Sequence, residues 1–335
     1  TQLEHNQFKV KHNPTTKPAD IIVVNTCGFI DRAKQESIDT ILEYAQLKNE
    51  GKIKKLYVTG CLSQRYRDNL LEEIVEVDDF FGTLEMPALL KRFNVDYKSE
   101  LIGERQITTP SHFAYLKISE GCNRTCSFCA IPLMRGKHIS QPIESLVDQA
   151  KHLAKVGVKE IILIAQELTY YGLDLYKKRA LPELIDKLSE VEGIEWIRLH
   201  YAYPSKFPLE ILDVIRTNTK VCNYLDIPLQ HIADPVLSRM KRQITSIESR
   251  DLIKQIRDKV PDIALRTTML VGFPGESEDD FDQLSRFIEE VRFDRLGVFQ
   301  YSHEEDTSAF LFEDNVPADV KEQRASELMK IQEPI

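Results

Sequence analysis

Six short β-branched runs, each followed by a helical stripe, fill the last two thirds of this chain. That rhythm limits its fold more than any other feature. The runs are 113–119, 160–165, 195–200, 223–227, 263–271 and 295–301. Ser140 with Pro142 precedes the stripe Ile143, Leu146, Val147, Ala150, Leu153 and Ala154. Thr245 with Glu248, and Ser277 with Asp280, have capping-box spacing. Strands that alternate with helices build parallel sheets. Six such units are too many for a small sandwich and suit an open or partial barrel, two units short of eight. A shorter βαβαβα pattern comes first: strands at 21–25, 56–60 and 79–82, a helical stripe over 30–48, a helix over 64–75, and Pro87 opening a third helix. We therefore expect an α/β protein with an N-terminal parallel-sheet domain over 1–95, a polar linker over 96–111, a partial (β/α)6 barrel over 112–316 and a closing helix over 317–335.

Composition narrows the partners. Of 335 residues, 42% are hydrophobic and 29% charged, and the net charge is −9. That balance disfavours a surface built to hold nucleic-acid backbone, so direct nucleic-acid binding is not expected. The apolar runs are far shorter than the roughly 20 residues a membrane-spanning helix needs. No membrane association and no signal peptide are expected. The opening at Thr1, without Met, reads as the start of a fragment.

The six cysteines are too sparse for a disulfide scaffold. Cys122, Cys126 and Cys129 crowd into eight residues just after the first barrel strand, at the end where barrel active sites are built. Three thiolates on one loop can hold three irons of a cubane cluster and leave the fourth open. The alternatives are a zinc site, for which His138 is the nearest further ligand, and plain structural cysteines. Cys27 and Cys61 each follow a predicted parallel strand, where ligand crevices form; the competing reading is a small buried residue. Cys222 has no such context. The compartment is expected to be reducing, hence cytoplasmic.

The Cys122-Asn-Arg-Thr-Cys126-Ser-Phe-Cys129 segment resembles the radical S-adenosylmethionine superfamily. In that superfamily the open iron is chelated by S-adenosylmethionine, which one electron then cleaves. The flanking run from Ser119 to Pro132, Arg135-Gly136, Asn25-Thr-Cys27-Gly-Phe and Val58-Thr-Gly-Cys61 resemble its methylthiotransferase branch over essentially the whole chain. The resemblance implies two 4Fe–4S clusters and S-adenosylmethionine. Cys122, Cys126 and Cys129 match the ligands of the radical cluster. Cys27 and Cys61 match the second and third ligands of an auxiliary cluster in an N-terminal methylthiotransferase domain, whose first ligand would lie before Thr1. The second cluster is thus incomplete on the residues present. The resemblance also implies a C-terminal TRAM-type β-barrel in the family, which is expected to lie outside the residues given.

Phe128 matches an aromatic position near the adenine. Gln166 and Glu167, at the end of the second barrel strand, match the edge where the ligand's ammonium finds a partner; the alternative for Glu167 is a solvated loop carboxylate. Arg198 and His200 share one face of their strand with Trp196, as Arg266 and Thr268 do on another, and Tyr115 and Lys117 on the first. A lumen lined this way needs polar or anionic contents, unless these residues form a buried salt-bridge network. Gly272, in Gly272-Phe-Pro-Gly275-Glu276, matches an adenine-side turn. Gln230 lies in Asp226-Ile-Pro-Leu-Gln230-His231, which resembles the ribosomal-protein branch, the RimO family. Acidic runs at 72–73, 278–280 and 304–306 read as solvated faces, and Lys241-Arg242 as a surface pair.

No catalytic group beyond the cofactor ligands is expected. The implied activity is insertion of a methylthio group at the β-carbon of an aspartate in the twelfth small-subunit ribosomal protein, with an electron donor and a sulfur source as further partners. The alternative substrate is an adenosine beside the tRNA anticodon. A non-catalytic scaffold with a structural cluster is the reading from another class.

Overall fold

The structure is a computed structural model that describes residues 2–13, 19–98 and 107–335. The chain divides into two compact units, Thr1–Gln106 with Ala130–Gly136, and Ile107–Cys129 with Lys137–Ile335. Residues 99–106 of the expected linker lie outside the described residues.

The first unit runs α1 (Gln2–His5), β1 (Ile21–Thr26), α2 (Asp31–Asn49), β2 (Lys55–Gly60), α3 (Cys61–Glu73), β3 (Asp79–Phe81) and α4 (Met86–Lys91). Its three strands pair in parallel in the order β1-β2-β3. Ile22, Val24, Ile41, Leu56, Val58 and Phe80 close its core. Strand β1 is an edge strand, and Val23 on its outer face is exposed. One expectation needs correcting. Helix α3 starts at Cys61 rather than residue 64, because Gly60, at φ +111°, turns the strand directly into the helix.

The second unit adds β4 (Phe113–Lys117), the short pair β5 (Ser119–Glu120) and β6 (Ile139–Ser140), then α6 (Ile143–Lys155), β7 (Glu160–Ile164), α7 (Leu181–Ser189), β8 (Trp196–Leu199), α8 (Glu210–Thr217) and β9 (Val221–Asp226). It continues through α9 (Asp234–Arg239), α10 (Ser246–Lys259), β10 (Ala264–Val271), α11 (Glu278–Val291), β11 (Arg295–Gln300) and α12 (Ala318–Gln332). Helix α5 (Ile131–Arg135) groups with the first unit, and nothing in its sequence signals that. Six parallel strands lie side by side in chain order, β4-β7-β8-β9-β10-β11, as an open half-barrel.

Residues facing the helices, among them Leu116, Leu163, Ile197, Leu199, Leu225 and Leu265, form one apolar core. Both capping boxes exist, on α10 and α11. Ser140 caps nothing: it belongs to β6, its hydroxyl donates to Asp174 at 2.6 Å, and Pro142 holds the cap position of α6. Of the acidic runs, Asp280 is buried by its own capping box and Glu304 is buried where it accepts from Ser302.

Candidate functional site

The three clustered cysteines sit on the loop that follows β4 and β5 at the C-terminal edge of the half-barrel. None of the three is in a disulfide, and all are partly buried. The loop is fixed by residues distant in sequence. Buried Ser127 donates its amide to Met240 O (3.0 Å) and its hydroxyl to Arg239 O (2.7 Å), and accepts the amide of Ala309 (2.8 Å). Phe128 packs against the apolar cluster of Ala233, Val236, Met240, Leu270 and Phe273, so its ring anchors the loop. Asn123 accepts the amide of His138, whose ring is buried 3.2 Å from the Ser140 hydroxyl.

The sulfurs already have donors. The Arg124 amide reaches Cys122 Sγ at 3.4 Å, and Arg242 Nη1 reaches Cys126 Sγ at 3.3 Å. Burial pushes the Cys122 thiol up from its ordinary range, so a metal must displace its proton. Among the described residues no three His, Cys, Asp or Glu side chains close around a single ion. Cubane ligands each take a separate iron, so the donor chemistry is the better test. Partly buried thiols with amide and guanidinium donors suit an anionic iron–sulfur cluster.

Glu167 is not a solvated loop carboxylate. It is buried, with Oε2 taken by Arg124 (2.9 Å) and Oε1 by the amide and hydroxyl of Thr169 (2.8 and 2.6 Å). With both oxygens engaged it orders the cysteine loop through Arg124. Gln166 remains at the rim, donating to Glu120 (2.8 Å), which also pairs with Lys117 (2.5 Å).

The concave face of the sheet carries a connected charge network. Arg198 pairs with Glu160 at 2.5 Å and lies over the Tyr224 ring. His200 stacks on Tyr224 at 5.4 Å; burial, with Arg266 and Arg198 beside it, pushes its pKa down to about 4. Arg266 pairs with Asp226 at 2.8 Å, and Asp226 is fully buried with Oδ1 unpartnered. Burial raises the Asp226 pKa. Thr268 borders this group, and its carbonyl accepts the Gln230 amide at 2.9 Å. Arg198 and Arg266 thus each have a carboxylate partner while both stay partly exposed on this face. Trp196 is mainly exposed, at the opening end of β8.

In the segment after β9, His231 is fully buried, its Nδ1 accepting from Ala233. Pro228 and Gln230 are part-exposed near the strand end, and Gln230 is held at φ +76°. The Gly272 turn serves the protein itself. A Cβ on Gly272 would lie 2.2 Å from Lys321 of α12, and one on Gly275 would lie 1.6 Å from Arg239 of α9. The Gly272 amide is used by Glu276 at 2.8 Å. The space at these glycines is therefore filled by side chains, which weakens the expectation of a ligand there.

In the first unit Thr26 and Gly60 are register partners across β1 and β2, so Cys27 and Cys61 leave neighbouring strand ends. The two turns interlock. A Cβ on Gly60 would sit 2.3 Å from Thr26 O, and one on Gly28 would sit 2.7 Å from Leu62 N. Ser37 ties the Cys27 backbone at both its amide (3.0 Å) and its carbonyl (3.1 Å). Cys27 is exposed and Cys61 partly so, which leaves both sulfurs accessible.

Sequence reasoning missed three residues. Arg124, within the cysteine loop, stacks on Tyr203, whose hydroxyl lies by Cys126 Sγ, and Arg242 is buried against the loop. The surface-pair reading fails for Arg242. Lys241 and Gln243 both take left-handed φ (+55° and +57°), a reversal that turns Lys241 out and Arg242 in. Nothing in the sequence marks that turn.

Comparison with known proteins fits this geometry. Residues 116–288 match the Radical SAM superfamily, and residues 1–82 match Uncharacterized protein family UPF0004. The ribosomal protein uS12 methylthiotransferase RimO of Cytophaga hutchinsonii is 59% identical over 335 residues, all of this chain and 77% of that protein. The protein of the same name from Flavobacterium johnsoniae is 59% identical over the same shares. Among solved structures, the radical S-adenosylmethionine methyltransferase TsrM from Kitasatospora setae, with cobalamin and a [4Fe-4S] cluster bound, aligns with a TM-score of 0.62. It is 14% identical, and the match covers 85% of this chain and 64% of that one, a likeness of fold alone. With more than half its length in the superfamily match and whole-chain identity to these relatives, the chain belongs to the RimO family of radical S-adenosylmethionine methylthiotransferases.

Proposed function

We propose that this chain inserts a methylthio group at the β-carbon of an aspartate in the twelfth small-subunit ribosomal protein, uS12. The observation that carries the reading is the loop of Cys122, Cys126 and Cys129, pinned at the barrel's C-terminal edge in a chain whose whole length matches uS12 enzymes. An unactivated C–H bond offers no acidic proton and no leaving group, so the cofactors must supply the hard step. A 4Fe–4S cluster with S-adenosylmethionine supplies one-electron cleavage of a sulfonium, and with it hydrogen abstraction.

The chain's own residues hold and shield. Cys122, Cys126 and Cys129 ligate the radical cluster. Cys27 and Cys61 provide two ligands of an auxiliary cluster that handles sulfur. Gln166, Gln230, Thr268 and the charged face of Arg198, His200 and Arg266 surround the S-adenosylmethionine and the target side chain. Phe128 and Glu167 keep the cysteine loop in place. Fixing donor and acceptor in line is worth several powers of ten in rate. The protein would draw on a one-electron donor and a sulfur source. A cytoplasmic setting suits its free thiols and a ribosomal substrate. No helix among the described residues is long and apolar enough to cross a membrane.

The test is a competition. The full-length protein, reconstituted anaerobically with iron and sulfide, is given S-adenosylmethionine, a reductant, uS12 and unmodified tRNA. Mass spectrometry should show a methylthio group on an aspartyl peptide of uS12. Modification of the tRNA instead would overturn the substrate assignment.

A further inference from the structure

Two arginines lean on the same tyrosine beside the cysteine loop, and they differ in one respect. Arg124 stacks 3.8 Å from the centre of the Tyr203 ring and is neutralised by buried Glu167. Arg242 stacks 4.3 Å from that centre, is 4% exposed, and has no carboxylate partner among the described residues. Its Nη1 donates to Cys126 Sγ, its Nη2 to Pro228 O, and its Nε is buried with no partner. A buried guanidinium without an anion is strongly disfavoured. Among the described residues, the one side chain within its hydrogen-bond reach that can carry negative charge is Cys126, as a thiolate.

Tyr203 sets the position. Its hydroxyl donates to the Arg242 carbonyl at 2.8 Å and lies 3.6 Å from Cys126 Sγ. The hydroxyl has one proton, and the Arg242 carbonyl takes it, so Arg242 is the donor to sulfur and Tyr203 the shelf beneath it. The left-handed residues Lys241 and Gln243 flank Arg242 and hold it inward.

We propose that Arg242, positioned by Tyr203, sets the reduction potential of the radical cluster by placing an uncompensated positive charge and an N–H donor on the Cys126 thiolate. This rests on the reading that Cys122, Cys126 and Cys129 hold that cluster. One electron from a low-potential donor adds one negative charge to the cluster, with no proton moved. A fixed guanidinium at 3.3 Å from one ligand sulfur stabilises the charged product more than the oxidised form. Arg242 is thus a positioning and tuning residue, and the neutral Arg124–Glu167 pair cannot do the same.

The experiment uses the full-length chain in a Cys27→Ser, Cys61→Ser background, so that one cluster remains. Iron and sulfide content are measured first. The midpoint potential is then read by redox titration followed by electron paramagnetic resonance, without substrate. Arg242→Gln should keep four irons but lose at least tenfold in the reduced-to-oxidised ratio at a fixed potential, about 59 mV for one electron. Arg242→Lys should recover more than half of that loss, and Tyr203→Phe should shift the same way by less. A fully loaded Arg242→Gln protein with an unmoved midpoint overturns the proposal. If Arg242→Gln fails to load, Tyr203→Phe decides: a lowered midpoint supports the proposal and an unchanged one overturns it. If the parent background itself takes up no cluster, or Cys126→Ala loads normally, the site reading fails and the proposal goes with it.

Discussion

The two cysteine sites of this molecule are made in opposite ways. In the second unit three thiols come from eight consecutive residues, and what is distant is their support: Arg239, Met240, Arg242 and Ala309. In the first unit the two thiols come from separate strands, and what is local is their support, two glycines that let the strand-end turns interlock. A site concentrated in sequence is conspicuous but depends on the whole barrel to hold it. A site assembled by strand register is inconspicuous but needs little beyond its own sheet.

The largest expected effect separates the sites by chemistry. Cys126→Ala should abolish both S-adenosylmethionine cleavage and methylthio transfer. Cys27→Ala should abolish transfer and leave cleavage within about threefold of the parent, since on the proposed reading Cys27 ligates the other cluster and exposed substitutions change stability little. Chromatographic detection of 5′-deoxyadenosine, alongside peptide mass spectrometry, checks both. Equal loss of cleavage in the two variants would mean the sites do not divide the work.

Next in size is support at a distance. Glu167→Gln leaves the buried Arg124 guanidinium without its anion and should cost about 3–5 kcal/mol, read from urea unfolding. The corresponding change in the first unit is Gly60→Ala, which drives a Cβ to 2.3 Å from Thr26 O at φ +111°. It should cost about 2–4 kcal/mol. Gly51→Ala is its control: φ is +71°, nothing lies within 4 Å of the added Cβ, and about 1 kcal/mol is expected from backbone strain alone.

A last effect is a dependence on pH that His200 brings to the second unit. Burial and two neighbouring arginines push the His200 pKa down to about 4, from 6.5. Below pH 6.5 the unfolded chain takes up a proton that the folded one refuses. Stability from this group is therefore complete above pH 6.5 and is lost as pH falls toward about 4. His200→Gln should remove that share of acid sensitivity, so that parent and variant stabilities converge as pH falls through the window. Parallel stability curves from pH 7 to pH 4 would show that His200 titrates normally.

The half-barrel was legible because hydrophobic period and strand spacing are local, and the cysteine loop because its ligands are consecutive. Arg242 was not legible, since two left-handed residues decide which of two adjacent cations faces inward, and neither Lys241 nor Gln243 is a residue type that announces such a turn. Glu167 was placed at the right strand end, but its commitment to Arg124 depends on the loop folding back across 43 positions. The Gly272 turn was singled out as an adenine-side turn. What presses against it is α12, which no local pattern could identify.

The strands of the half-barrel lie in chain order, so each new βα unit can dock on the one before it as soon as it is made. The bond between Cys126 and Arg242 breaks that economy, because it closes a loop of 116 residues. The cysteine loop is translated near the beginning of the barrel and acquires this brace only after the fourth barrel strand and helix α9 exist. During synthesis, Cys126 waits for its guanidinium partner until four of the six strands have been made.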